Sequence, residues 1–244
     1  MIIKQKSVFW SIIVPCYNES KRVDNIVKIL RYLRRLDKTW ELIIVDDGST
    51  DDTLDKLKSL NKKSDIRLIS YRNNRGKGYA VKIGMLAAVG EFRLFVDVDL
   101  STPIEEIERF SRFVDQYDLI IGTRKLKGAR VLVHQPILRE SLGAAFTLLS
   151  QIILNTKVSD FTCGFKCFSQ VAAQRIFRKT RIFRWGFDSE TLFLAKKYGF
   201  SIKEVPVVWR NDKRTRVRFP NDIVSSLGEL LAIRYFDWVK HLYV

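Results

Sequence analysis

Along the first half of the chain, short continuous apolar runs alternate with stretches whose apolar residues recur at helical spacing. Ser11-Ile12-Ile13-Val14-Pro15 predicts a buried strand, and Asn25 to Leu36, with Ile26, Ile29, Leu30 and Leu33 on one face, predicts a helix. Leu42-Ile43-Ile44-Val45 is a second such strand, ending at Asp46-Asp47-Gly48. Ser49 or Thr50 is placed to cap a helix running to about Leu60. Ile66 to Ser70 and Phe92 to Val96 read as further strands, with a helix from Gly78 to Ala88 between them. After Gly122 the pattern changes. Ile137 to Leu154 predicts an amphipathic helix broken near Gly143, Phe187 to Tyr198 another helix, and Ile202 to Trp209 a strand. Asp222 to Lys240 predicts a last amphipathic helix carrying Leu227, Leu230, Leu231, Ile233 and Tyr235.

Strands that are almost wholly apolar and alternate with helices argue for an α/β fold with a mostly parallel, doubly wound sheet. Ligands of such sheets bind beyond the carboxyl ends of the strands. Pro15 to Glu19, Asp46 to Ser49 and Asp97 to Thr102 each directly follow a strand, so three polar clusters converge on one rim. No Pro- or Ser-rich linker and no internal repeat divides the chain. One domain over residues 1–244 is expected, with residues 8–122 and 123–244 as its halves.

Charge adds a partner class. The formal net charge of +16 requires an anionic ligand or surface, and basic residues crowd Arg124 to Arg130, Arg175 to Arg184 and Arg210 to Arg218. Nucleic acid, anionic lipid and phosphorylated small molecules all qualify on charge. Nucleic acid is disfavoured, because no recognised binding motif is present and the strand ends are acidic. Three cysteines are too few for a disulfide framework and suit a reduced compartment. Cys163 and Cys167 have no second Cys or His pair to complete a zinc site; the histidines are His134 and His241. The first residues lack the layout of a signal peptide. No uninterrupted apolar run approaches the roughly 20 residues needed to span a bilayer. The longest, Leu142 to Leu154, contains Thr147, Ser150 and Gln151, so the expectation is a chain that touches a membrane without crossing it.

Three segments carry candidate chemistry. Asp97-Val98-Asp99 follows an apolar strand, and alternate residues of an extended segment share a side. Two such carboxylates can hold Mg²⁺ or Mn²⁺ and leave positions for diphosphate oxygens and water; two solvated acids at a strand end are the plain alternative. Asp46 or Asp47 can accept from a base imide or from ribose hydroxyls, while Asp51 and Asp52 suit the first turn of a helix. Asn74-Arg75-Gly76-Lys77-Gly78 joins a strand to a helix N-terminus, a natural anion site, or forms a simple glycine turn.

Taken together these segments resemble glycosyltransferase family 2, with its GT-A fold. The likeness runs through Ser11 to Glu19, Val45 to Ser49, Asn74 to Gly78, Phe95 to Pro103, Gly122-Thr-Arg124, Asp160-Phe-Thr-Cys-Gly-Phe-Lys166 and Glu204-Val-Pro206, about residues 10 to 220. Within the family the chain looks most like the polyprenyl-phosphate (dolichyl-phosphate) glycosyltransferases. The stretch from Asn74 to Met85 is more similar to the β-glucosyl than to the mannosyl enzymes. The Gln-x-x-Arg-Trp motif of processive synthases is absent, and Phe183-Arg184-Trp185 is a partial echo of it.

This resemblance implies an inverting, metal-dependent transfer of one sugar from a nucleotide donor, UDP-glucose, to a polyprenyl or dolichyl phosphate. The alternatives are a mannosyltransferase using GDP-mannose, or a non-enzymatic basic protein bound to membrane surface or nucleic acid. It implies that Pro15, Tyr17, Glu19 and Asp47, with Asp46 beside them, line the nucleoside pocket. Lys77 and the Asp97-Val98-Asp99 segment would serve the donor, with Asp97 and Asp99 as ligands of Mg²⁺ or Mn²⁺. Arg124, Arg139 and Arg216 would hold the acceptor phosphate, and Asp160 would orient the acceptor or act as base. Residues 8–122 become the nucleotide-sugar half and 123–244 the acceptor half, with interfacial helices. The implied setting is the cytoplasmic face of a membrane, with an anionic surface and a separate membrane-anchored protein as partners.

Overall fold

The strands of the first half pair as the apolar runs predict. β1 (Trp10–Cys16), β2 (Trp40–Asp46), β3 (Arg67–Ser70) and β4 (Phe92–Val96) are parallel, and α1 (Val23–Leu33), α2 (Thr53–Asn61) and α3 (Lys77–Ala87) connect them. These are the features of a computed structural model, which describes residues 7–62, 64, 66–212 and 221–243, with side chains from residue 225 in the last stretch. A short 3₁₀ turn (Ile104–Glu106) and α4 (Ile107–Phe110) lead to β5 (Leu119–Thr123), β6 (Arg130–Val133) and α5 (Ile137–Leu154). Then come β7 (Phe165–Ser169), α6 (Gln170–Lys179), α7 (Phe187–Lys197), β8 (Ile202–Pro206), β9 (Val208–Arg210) and α8 (Asn221–Trp238).

The main sheet has the order β3-β2-β1-β4-β7-β5-β8, with β7 antiparallel to both neighbours. Alternation along each strand divides the core between its faces. Ile13, Ile43, Val45 and Phe95 pack with α3, α6, α7 and α8, whereas Ile12, Val14, Leu42, Ile44 and Leu94 pack with α1 and α4. The strand order reverses between β1 and β4. Side chains at their carboxyl ends therefore face a crevice that no crossover connection covers.

Three features depart from the sequence-based expectations. The stretch Ile202–Trp209 is two strands. Val207 donates to Thr123 O and accepts from Arg130 N, both at 3.1 Å, so the chain leaves β5 and joins β6 in a separate two-stranded ribbon. Helix α5 runs unbroken through Gly143, which faces open space. It is also long and apolar enough to cross a membrane by length and composition, with mean hydropathy 1.4 and only 17% of it buried. Its charges, Arg139 and Glu140, sit in the first turns, and Ile137 (84% exposed), Leu138 (67%) and Ile152 (67%) project outward.

Candidate active site

At the crevice between β1 and β4 lies a cleft of about 1060 Å³. Its wall brings together Pro15, Tyr17, Glu19, Asp47, Lys77, Asp97, Val98, Asp99, Arg124 and Arg139. Asp46 and Asp160 lie behind that wall and are fully buried. Arg216 and Thr215 fall outside the described residues.

The loop after β1 turns at Asn18, whose φ of 51° lies in the left-handed region that Asn tolerates. Asn18 ties this loop to the start of α2. Its amide donates to Ser49 Oγ at 2.9 Å and its side-chain oxygen accepts from Thr50 N at 2.7 Å. Glu19 is held by Arg22 at 2.6 Å, and Arg22 also meets Asp212 at 3.2 Å.

The two acids at the carboxyl end of β2 have separate tasks. Asp46 Oδ2 accepts from Ser70 Oγ at 3.1 Å, while Oδ1 is buried with no partner among the described residues. Asp47 Oδ1 accepts from Tyr71 OH (2.7 Å) and Arg75 N (2.8 Å), and its Oδ2 from Asn74 Nδ2 (2.8 Å) and Gly76 N (2.9 Å). With four donors the carboxylate is saturated, so Asp47 clamps the Asn74–Gly76 loop. The glycines of that loop answer to packing. A Cβ at Gly76, where φ is 103°, would lie 2.3 Å from Phe183 O, and one at Gly78 would lie 2.5 Å from Phe187 Cβ.

β4 ends at Val96, and Asp97-Val98-Asp99 forms a turn closed by Leu100 N on Asp97 O at 3.0 Å. The acids therefore do not continue the strand. The turn still sorts them: Val98 is buried in the core while both carboxylates reach the cleft. Lys77 Nζ is 2.6 Å from Asp97 Oδ1. Burial opposes the charge on Lys77, but Asp97 and Asp188 outweigh it and raise its pKa. Burial, and then the charge of Asp97, raises the pKa of Asp99. Two acids that crowd each other, one already holding a cationic side chain, suit a divalent ion. Among the described residues no third acid, Cys or His joins them in a metal-holding group. An ion there would complete its shell with donor oxygens and water.

Across the cleft, Arg124 follows β5. It grips Asp160 through Nε–Oδ2 and Nη2–Oδ1 contacts of 2.7 Å and lies 5.1 Å over the Trp209 ring. Burial opposes ionisation of Asp160, but Arg124 overrides it and draws the pKa down to about 2. Burial and the nearby charge of Arg124 lower the pKa of Arg139, whose guanidinium makes no hydrogen bond or ion pair among the described residues. Two guanidiniums that bear on each other in one cleft have the chemistry to hold an anion.

Residues 11–177 match the family model for glycosyl transferase family 2. The chain belongs to glycosyl transferase family 2. It is a glycosyltransferase, and its relatives include dolichyl-phosphate beta-glucosyltransferases. That of Trichomonas vaginalis is 32% identical, covering 96% of this chain and 74% of its own. That of Dictyostelium discoideum is 32% identical, covering 94% and 75%. Among solved structures it is similar to glucosyl-3-phosphoglycerate synthase from Mycobacterium tuberculosis in complex with Mn²⁺, UDP and phosphoglyceric acid. The TM-score is 0.70 at 18% identity, covering 93% of this chain and 78% of that one. At that identity the likeness is one of fold, and the fold is GT-A.

The cleft of this family 2 chain also uses residues that sequence reasoning missed. Asp188 lines it and is buried with Lys166, whose ammonium lies 2.5 Å from Asp188 Oδ1 and 2.7 Å from Cys163 O. Burial pushes the Asp188 carboxyl up, against the pull of Lys166 and Lys77. Trp209, the platform under Arg124, reads in the sequence as one more apolar strand residue. Lys166 was visible as the end of the Asp160 to Lys166 segment; Asp188 carried no signal beyond being acidic.

Proposed function

We propose that the chain transfers one glucose from UDP-glucose to a polyprenyl phosphate, dolichyl phosphate in the first instance, with inversion at the anomeric carbon. The observation that carries this reading is the division of one cleft into two charge regions. An acidic turn, Asp97-Val98-Asp99, faces a pair of guanidiniums, Arg124 and Arg139, beside a helix whose apolar side chains are exposed. The glucosyltransferase relatives support the sugar and the acceptor, and the GT-A neighbour with Mn²⁺ and UDP supports the donor side.

Residues 8–122 would bind the donor. Pro15, Tyr17 and Glu19 shape the nucleoside side of the cleft, and Asp47, with Asp46 behind it, holds the loop that closes it. Asp97 and Asp99 would hold Mg²⁺ or Mn²⁺. When bound, the ion neutralises charge developing on the nucleoside diphosphate as it leaves. Residues 123–244 would take the acceptor. A phosphate monoester has a second pKa of about 6, so it reaches the cleft largely as a dianion and needs no strong base. Arg124 and Arg139, with Arg216 as a third candidate, hold it in line with the anomeric carbon. Its oxygen forms the new bond as the bond to the diphosphate breaks, and the electron pair leaves with UDP. An α-linked donor then gives a β-linked lipid phosphate sugar. Asp160 orients Arg124: both of its oxygens are held by that guanidinium, which draws its pKa down to about 2 and makes it a weak base.

The exposed side chains of α5, with Leu231, Tyr235 and Trp238 of α8, support contact with lipid, and the net charge of +16 supports an anionic leaflet. A peripheral position on the cytoplasmic face, shared with a membrane-anchored protein, fits both. A donor panel tests the reading: UDP-glucose, UDP-galactose and GDP-mannose, each with dolichyl phosphate and Mg²⁺ or Mn²⁺. UDP-glucose is expected to give the most glycolipid. Preference for GDP-mannose, or no glycolipid from any donor, overturns it.

A further inference from the structure

Lys77 opens α3 on the wall of the cleft, and its ammonium rests on Asp97 Oδ1 at 2.6 Å, with the rings of Phe187 and Phe95 at 5.8 and 6.0 Å. The two partners differ in their freedom to move. Asp97 is seated on the backbone of residue 164. Its amide donates to Gly164 O at 3.2 Å, and a Cβ on Gly164 would lie 1.9 Å from Asp97 Oδ2. Lys77 reaches Asp97 on a flexible four-carbon stem, so it is the partner that can leave.

The charges on this floor are close to balance without any ion. Asp97, Asp99 and Asp188 face the ammonium groups of Lys77 and Lys166, and Lys166 is fixed by Asp188 and Cys163 O. A divalent ion arriving alone would share Asp97 with Lys77, and the two cations would repel. A diphosphate arriving with the ion gives the ammonium another anion to hold. We propose that Lys77 is an internal counter-ion: it occupies Asp97 in the donor-free enzyme and moves to the donor's diphosphate when metal and donor bind together. Lys77 thus weakens binding of the metal alone and strengthens binding of the metal–nucleotide pair. This rests on Asp97 and Asp99 being the metal ligands, as proposed above. Because such coupling is reciprocal, it also makes nucleotide affinity depend on metal.

The test is Mn²⁺ binding to wild type, Lys77→Met and Lys77→Arg, read from the electron paramagnetic resonance of free Mn²⁺, with and without UDP. UDP binding without metal is measured by calorimetry on the same proteins. Lys77→Met is expected to bind Mn²⁺ alone about tenfold or more tightly than wild type, yet to bind Mn²⁺ and UDP together more weakly. Lys77→Arg keeps a cation on Asp97 and should retain the weak binding of metal alone. A purely structural role would not shift the two affinities in opposite directions. Lys77→Gln, a second neutral side chain, guards against a folding defect in the Met variant. If wild type binds Mn²⁺ with UDP but neither neutral variant gains affinity for Mn²⁺ alone, the counter-ion role is overturned and the metal site stands. If no protein binds Mn²⁺ even with UDP, while UDP binds without metal, the metal site fails and the counter-ion role with it.

Discussion

Arg124 and Asp160 meet as a planar pair, with Nε–Oδ2 and Nη2–Oδ1 both at 2.7 Å, and the Arg124 amide adds a third contact to Oδ2 at 3.1 Å. Asp160 is fully buried, so its charge has no water to fall back on. Asp160→Asn leaves Arg124 unpaired and is expected to cost about 3–5 kcal/mol of stability, read as a lower melting temperature. It should also lower transfer without changing the shape of the kcat–pH profile from about pH 6 to 9, because a carboxylate with a pKa near 2 is already ionised throughout. Loss of an acidic limb, the fall in rate toward low pH, from that profile in the variant would instead assign Asp160 as the base.

The metal reading is checked at Asp99. Asp99→Asn keeps the size of the side chain and its acceptor for Ser101 N, now at 2.8 Å, but removes the charge. Transfer is expected to fall on the order of a hundredfold while the circular dichroism spectrum stays unchanged. EDTA should abolish the wild-type reaction. Full turnover by the variant, with EDTA harmless to wild type, contradicts a metal at this turn.

The base pocket is checked by calorimetry with nucleoside diphosphates in Mn²⁺. UDP is expected to bind more tightly than GDP; the reverse order points to a mannosyl donor.

The Arg139 guanidinium lines the cleft and makes no hydrogen bond or ion pair among the described residues. Arg139→Ala is expected to lose roughly 1.5–3 kcal/mol of transition-state stabilisation, about a tenfold to hundredfold drop in transfer, with donor affinity unchanged. Arg139→Lys should recover part of this, since the planar fork is lost. Arg124→Ala and Arg216→Ala are expected to act in the same direction. Wild-type transfer by all three Ala variants at subsaturating lipid phosphate removes these arginines from the acceptor site.

Away from the cleft, Glu190 gives a pH-dependent stability. It is fully buried, accepts from Arg181 N (2.8 Å), Ile182 N (2.9 Å) and Tyr243 OH, and burial raises its pKa to about 7. Its pKa is higher folded than unfolded, so the folded state binds the extra proton and stability falls as pH rises from about 4.5 to about 7, by roughly 3 kcal/mol. Melting curves of Glu190→Gln against wild type should show that this fall is absent in the variant. Parallel curves would mean that Glu190 does not titrate in this window.

The acidic triplet, the strands of the first half and the polar rim were legible because each rests on a local signal: an apolar run that stops at polar residues. The turn geometry at Asp97-Val98-Asp99 was not, because it depends on Gly164, brought alongside by the antiparallel strand β7. The glycines at 76 and 78 read as room for a ligand and instead make room for Phe183 and Phe187. Helix α7 was legible as a helix but not as a buried one. Its polar residues suggest a wet face, yet every residue from Phe187 to Ala195 is buried. Asp188 and Glu190 find their partners in Lys166, Arg181, Ile182 and Tyr243, and only the tertiary fold brings Lys166 and Tyr243 to them. The exposed apolar face of α5 was legible as an interfacial helix, with a core helix as the alternative, but its unbroken course through Gly143 was not.

The most direct measurement is transfer of labelled glucose from UDP-glucose to dolichyl phosphate by the purified chain with Mn²⁺, with the anomeric linkage of the product read by proton NMR. The expected result is a metal-dependent glucosyl lipid phosphate in the β configuration. An α-linked product contradicts single in-line displacement. Release of UDP with no glucolipid contradicts the acceptor.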